Sequence, residues 1–303
     1  MQPKISLSIG TLQTLYGDRA ALDVALACGA DAVDFDLCGR FDDREPGNLY
    51  QRSDEEVAEY FADIRRHAEE LGLTIGQTHG RIKGFLGQKE EDDALVRSGR
   101  LDCLATQMLG APVCVFHNMT SLWVDPSTPR QFMRDTNHDQ YHRILPYARQ
   151  YGIKIATETF GGDFVHQGCD FFGNMPEFIK AYERIRQEDE NGDLLTVCMD
   201  TGHTNVAHRF GDNPTPGDAI RQLGNRITCL HLHDNNGLSD QHKIPGTGDI
   251  DWEDVFSALD EIGYAGTFNL EVVLTHFGKH FEVQEAAFAI KVLRQLLRKH
   301  GAG

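Results

Sequence analysis

No two cysteines in this chain are spaced Cys-x-x-Cys. The seven present (Cys28, Cys38, Cys103, Cys114, Cys169, Cys198 and Cys229) are odd in number, and several sit in apolar, strand-like runs. A disulfide framework or thiolate metal knuckle is therefore not expected, and the pattern reads as reduced thiols of a cytoplasmic protein. No stretch approaches the roughly 20 apolar residues of a membrane span. Met1–Gly10 lacks a basic segment followed by a long apolar core, so no signal peptide is expected. Positive charge is scarce: 29 Lys and Arg stand against 46 Asp and Glu, a formal charge of −17. Such a surface repels nucleic-acid phosphates and anionic membranes. The densest basic stretch, Arg294, Arg298 and Lys299, falls at the end of a predicted helix, where cations complement the dipole. The glycine-rich turn Pro245-Gly246-Thr247-Gly248 has neither Gly-x-Gly-x-x-Gly spacing nor a P-loop lysine, so phosphate is not expected to be essential to a ligand.

The 303 residues are 40% hydrophobic, enough for one large core, and no Pro/Ser-rich linker or low-complexity tract interrupts them. Short β-branched apolar runs alternate with helical periodicity from end to end. The predicted strands are Ile5–Ile9, Ala32–Phe35, Thr74–Thr78, Val113–His117, Lys154–Glu158, Thr196–Asp200, Ile227–His233 and Thr267–Val272. Ser53 and Glu56 form a capping box that opens a helix carrying Val57, Phe61, Ile64, Ala68 and Leu71 on one face, closed by Gly72. Glycines recur before other strands at Gly29, Gly110, Gly152 and Gly263. Eight such units predict a single (β/α)₈ TIM barrel over residues 1–303. The longer connections (Cys38–Arg52, Asn118–Pro129, Thr159–Gly173 and Thr201–Pro216) all follow strands, on the side where such barrels build their sites.

Chemistry-bearing residues fall at those strand ends. His79 ends the third strand, His117 the fourth, Glu158 the fifth and Asp200 the sixth, with His203 three residues on. His231, His233 and Asp234 lie on the seventh, its loop adds Asp240 and His242, and Glu271 ends the eighth. Taken singly, His79 or His117 reads as a satisfied polar side chain and Asp200 as a helix cap. Glu158 and Glu271 at the inner ends of apolar strands are costly unless paired or metal-bound. A barrel gathers all these ends at one mouth, and carboxylates with imidazoles suit a divalent ion. Mn²⁺ or Zn²⁺ fits first, with Co²⁺, Mg²⁺ and Fe²⁺ compatible.

The quoted motifs are Glu158-Thr159, Asp200-Thr201-Gly202-His203, His231-Leu232-His233-Asp234-Asn235-Asn236-Gly237, the segment from Asp240 to Trp252, and Leu270-Glu271-Val272. In their order and spacing the chain resembles the xylose-isomerase-like barrel superfamily, in particular its sugar phosphate isomerase/epimerase branch. The resemblance implies a metal held by Glu158, Asp200, His231 and Glu271, with Glu158, Glu271 and His203 catalytic. His231 and His233 both point inward by strand alternation, and the resemblance favours His231 as ligand. A DNA-repair endonuclease branch adds ligands matched here by His79, His117, His203, Asp240 and His242. These and His233 are candidates for further metal or substrate contacts.

The expected chemistry is enediolate-type isomerisation or epimerisation of a ketose or related carbohydrate. Alternatives are β-elimination from a keto-sugar or keto-glycoside, and hydrolysis of abasic DNA, which the acidic charge disfavours. Aromatic loop residues Trp123, Phe160, Phe164, Phe171 and Phe172 are candidates to cover a sugar, Trp123 and Phe160 foremost. No nucleic acid or membrane partner is expected. The resemblance makes a homo-oligomer possible, since dimers or tetramers are common for such barrels.

Overall fold

The computed structural model describes residues 3–121, 125, 127–163 and 168–301. Its barrel strands are β1 (Ile5–Ser8), β2 (Ala32–Asp36), β3 (Thr74–His79), β4 (Val113–Phe116), β5 (Lys154–Glu158), β6 (Leu195–Asp200), β7 (Ile227–His231) and β8 (Phe268–Leu270). All pair in parallel, each with its sequence neighbour, and β8 returns to β1 through Ile5 opposite Phe268. A bridge between Leu232 and Leu270 closes the last seam, with the Leu232 amide donating to the Asn269 carbonyl at 2.8 Å. The seventh and eighth strands are shorter than their sequence patterns. Beyond Leu232 the chain turns to an antiparallel bridge between Asp234 and Lys243 instead of continuing along the barrel.

Ten α-helices occur among the described residues: α1 (Gly10–Tyr16), α2 (Asp18–Ala27), α3 (Asp54–Leu71), α4 (Lys89–Leu109), α5 (Arg130–Tyr151), α6 (Met175–Glu188), α7 (Thr201–Ala207), α8 (Pro216–Leu223), α9 (Trp252–Glu261) and α10 (Glu282–His300). The capping box at Ser53 forms as its sequence dictates, with both hydrogen bonds present and Gly72 left-handed at the other end. Two short helices, α1 and α7, occupy stretches without helical periodicity long enough to read. The α7 helix lies inside the segment read as the loop Thr201–Pro216 and is started by Asp200, whose side chain accepts the His203 amide.

Strand alternation sorts the core into two shells. Outward residues such as Leu7, Val33, Phe35, Cys114, Phe116, Ile155, Val197, Met199, Leu230 and Leu270 pack under the helices in one large buried cluster. Inward residues Val113, Val115, Ala156, Cys198 and Cys229 form a small separate cluster in the lumen. All seven thiols are unpaired, and five of them are buried.

Candidate metal centre at the barrel mouth

One inward residue near the end of each strand from β3 to β8 rises to the same level: His79, His117, Glu158, Asp200, His231 and Glu271. Glu158 stands at the middle. Its Oε1 lies 3.2 Å from His231 Nδ1 and 3.2 Å from His203 Nδ1, and its Oε2 lies 3.0 Å from His117 Nε2 and 3.6 Å from His79 Nε2. His231 Nδ1 also faces Glu271 Oε2 at 3.3 Å and Asp200 Oδ2 at 3.9 Å. Asp200 Oδ1 accepts the His203 amide at 2.6 Å while its Oδ2 lies 3.0 Å from His233 Nε2, so the capping role and a place in the cluster coexist.

A flanking group extends toward solvent. Asp240 Oδ2 lies 2.9 Å from His242 Nε2 and 3.3 Å from His203 Nε2, and the His242 ring stacks on His233 at 3.9 Å between centroids. His242 adopts a left-handed φ of 44°, which only a constrained non-glycine residue holds. Gly202 has a steric reason: a Cβ there would stand 1.9 Å from the His233 ring. The Pro245–Gly248 turn wraps the buried Asp234, whose carboxylate accepts from the Gly246 amide at 2.8 Å and Trp252 Nε1 at 2.9 Å. That glycine segment therefore shapes a loop.

The arrangement fits a cation. Among the described residues, Glu158 Oε2, His117 Nε2, both nitrogens of His231, His233 Nδ1 and Glu271 Oε2 are buried without a partner in hydrogen-bonding geometry. Such atoms are costly unless something else satisfies them. The overlapping triads His79–His231–Glu271, His79–His117–Glu158, His203–Asp240–His242 and His233–His242–Glu271 each bring their ligand atoms within 4.8 Å of one another. The electrostatics agree. Burial alone would raise the Glu158 carboxyl, yet His231 and His117 hold it well below the usual range. Burial would lower His231, but Glu271 and Glu158 push it well above its ordinary value. For His79 the same opposition of burial against Glu158 leaves it raised to about 10. The neighbouring carboxylates thus favour the protonated forms of His79 and His231, and a dication would compete with those protons.

Every catalytic or ligand residue expected from sequence thus falls in one cluster. The aromatics divide. Phe160 stands at the rim, its ring 6.0 Å from His203 and nearly parallel to it. Phe171 and Phe172 instead pack on each other at 4.8 Å, and Phe172 is buried in the outer core. Trp123 and Phe164 lie outside the described residues. Sequence reading found β2 but missed its site residues. Asp34 and Asp36 alternate with Val33 and Phe35, and both line a cleft of about 230 Å³ beside Glu271, together with Ser8, Thr11, His79 and His242. The Val-Asp-Phe-Asp alternation was the available signal.

An eight-stranded parallel barrel with carboxylates and imidazoles at one mouth defines a (β/α)₈ protein built like a barrel enzyme. More particularly, the chain belongs to the xylose isomerase-like TIM barrel family, which it matches over residues 22–299. Its curated relatives include sugar epimerases and isomerases. The D-psicose 3-epimerase of Enterocloster bolteae is 33% identical over 224 residues, 70% of this chain and 66% of that protein. The inosose isomerase of Bacillus subtilis is 27% identical over 157 residues, 50% of this chain and 51% of that protein. Across the first curated relatives the match spans only 43%, 58% and 66% of their own lengths. A solved IOLI protein with a zinc atom superposes with a TM-score of 0.72 at 18% identity, covering 98% of this chain and 99% of that one, a likeness of fold. Among the described residues no helix is long and apolar enough to cross a membrane.

Proposed function

We propose that this chain is a metal-dependent isomerase or epimerase of an unphosphorylated ketose or related carbohydrate. The observation that carries this reading is the convergence of Glu158 and Glu271 on one imidazole nitrogen, 3.2 and 3.3 Å from His231 Nδ1, beside an open cleft. Glu158, Asp200, His231 and Glu271 would hold a divalent ion, which as a Lewis acid polarises a carbonyl and favours loss of a proton from the neighbouring carbon.

The chain's own groups do the rest. Glu158 and Glu271 approach from different strands, so one carboxylate removes the proton to give an enediolate and the other returns one. Glu271 is the more accessible, its side chain 19% exposed toward the cleft, whereas Glu158 is enclosed by four imidazoles. His203 orients a substrate hydroxyl, and Phe160 stacked on it offers an apolar surface to a sugar ring. Supporting an uncharged substrate, the cleft lining includes Asp34, Asp36 and Glu271 and no lysine or arginine among the described residues. A phosphate there would meet like charge.

The test is solvent exchange. Protein loaded with Mn²⁺ is incubated in D₂O with free ketoses and inososes, and deuterium at the carbon next to the carbonyl is followed by NMR. Exchange with interconversion of epimers or isomers is expected. Loss of a β-substituent from a keto-glycoside would redirect the reading to a lyase, and no exchange with any of these ketones would contradict proton-transfer chemistry.

A second reading rests on the surplus of ligands. The triads flanking Glu158 and Asp240 could hold more than one ion, as metal-dependent cleavage of abasic DNA requires. The charge of −17 weighs against a polyanionic substrate. Nicking of an abasic duplex by the metal-loaded protein would favour this alternative.

A further inference from the structure

Asp34 lies on β2, faces the lumen and is 1% exposed. Its Oδ2 accepts from Ser8 Oγ on β1 at 3.0 Å, Gln77 Nε2 on β3 at 3.3 Å and Asn269 Nδ2 on β8 at 3.3 Å. Asn269 also braces Ser8, donating to its Oγ at 2.9 Å. The same Asp34 oxygen stands 3.4 Å from His231 Nε2, on β7. Three strands therefore hold one carboxylate oxygen beneath a residue of a fourth.

His231 is wedged between two acidic environments. Nδ1 points up at Glu158, Glu271 and Asp200, and Nε2 points down at Asp34. His79 stacks on its face at 5.2 Å and 12°, which restricts rotation of the ring. If a cation takes Nδ1 as a bare lone pair, the one remaining ring proton must sit on Nε2. Asp34 Oδ2, 3.4 Å away, is the carboxylate oxygen on that side of the ring, within ion-pair reach of Nε2 though not in hydrogen-bonding geometry with it. No lysine or arginine pairs with this buried carboxylate among the described residues, so packing alone gives no reason for a charge here.

We propose that Asp34 is a positioning residue that fixes the tautomer and ring angle of His231, presenting Nδ1 to a divalent cation. This rests on the reading that the strand-end cluster binds metal. A carboxylate behind a metal-ligating imidazole raises its basicity, and its removal typically costs about 10- to 100-fold in metal affinity.

The test needs no substrate. Apo wild type and Asp34→Asn are titrated with Co²⁺, following the visible absorption bands, and the thermal midpoint of each apo protein is recorded. The expected result is about 10- to 100-fold weaker Co²⁺ binding by Asp34→Asn, with altered bands and an apo midpoint no lower than wild type. A loss of affinity under threefold overturns the assignment, as does weak binding matched by a collapsed apo midpoint. Should Asp34→Asn fail to fold, wild type decides. In ¹⁵N-histidine-labelled, Zn²⁺-loaded protein, with His231 identified from a His231→Gln spectrum, a protonated Nε2 supports the proposal and a bare Nε2 overturns it. The two levels remain separable. If wild type binds neither Co²⁺ nor Zn²⁺, the metal reading fails and takes the Asp34 role with it. If both proteins bind equally, only the Asp34 role fails.

Discussion

The lumen of this barrel is built in two unlike halves beneath one ring of site residues. Under the β4–β7 side lie Val113, Val115, Ala156, Cys198 and Cys229, a buried layer of small apolar side chains. Under the β8–β1–β2–β3 side lie Ser6, Ser8, Asp34, Gln77 and Asn269, polar and nearly all fully buried. Ser6 Oγ, Asp34 Oδ1, Gln77 Oε1 and Asn269 Oδ1 there have no hydrogen-bonding partner among the described residues. The apolar half is explained by packing. The polar half carries atoms that stability alone would remove, and its one clear product is the bracing of Asp34 below His231. The contrast suggests that one side of the lumen supports the fold and the other supports the site.

The largest expected effect tests the ring above both halves. Glu271→Gln keeps the shape of the side chain and removes its basicity. Turnover on any ketose that wild type converts should fall by about 10³-fold or more, with an unchanged circular dichroism spectrum and thermal midpoint. Wild-type activity in that variant would remove Glu271 from the chemistry.

Next come paired substitutions in the two halves, read as urea midpoints of the apo proteins. Val115→Ala opens a cavity in the apolar layer and should cost about 1–3 kcal/mol. Gln77→Met deletes an unpartnered buried oxygen together with one of three donors to Asp34, and should change stability by less than about 1 kcal/mol. Equal costs would erase the distinction between the halves.

The smallest effect lies on the outer surface, far from either half. Arg100 donates to both carboxylate oxygens of Asp54, at 2.7 and 2.8 Å, and this pairing holds the Asp54 carboxyl below its usual range. A depressed acid stabilises the fold above the unfolded pKa, about 3.9, and the contribution is lost as pH falls through the folded value. The pair is exposed, so Asp54→Asn should cost no more than about 1 kcal/mol at pH 7. That gap in urea midpoint should shrink as pH drops below about 4.

What the sequence made readable follows from these two shells. Strand ends were legible because an inward ionisable residue interrupts an otherwise apolar run, as Glu158 does after Ile155 and Ala156. The capping box at Ser53 and the glycine at Gly72 mark their helix by local chemistry alone, and the structure contains both. Asp34 and Asp36 escaped notice because β2 alternates acid with hydrophobe, so neither stands out as an interruption. The α7 helix was invisible because seven residues carry too little periodicity, and its start depends on Asp200 capping the His203 amide. Phe172, buried in the core, was grouped with Phe160 because loop aromatics look alike in sequence whether they meet a ligand or the core. Strand β7 ends early where pairing between Asp234 and Lys243 diverts the chain.

The most direct test of the metal centre is a crystal soaked in Mn²⁺ and measured near the manganese absorption edge. The account predicts an anomalous peak enclosed by the carboxylates of Glu158, Asp200 and Glu271 and by Nδ1 of His231. Diffraction showing these four side chains turned apart, with no peak among them, would contradict it.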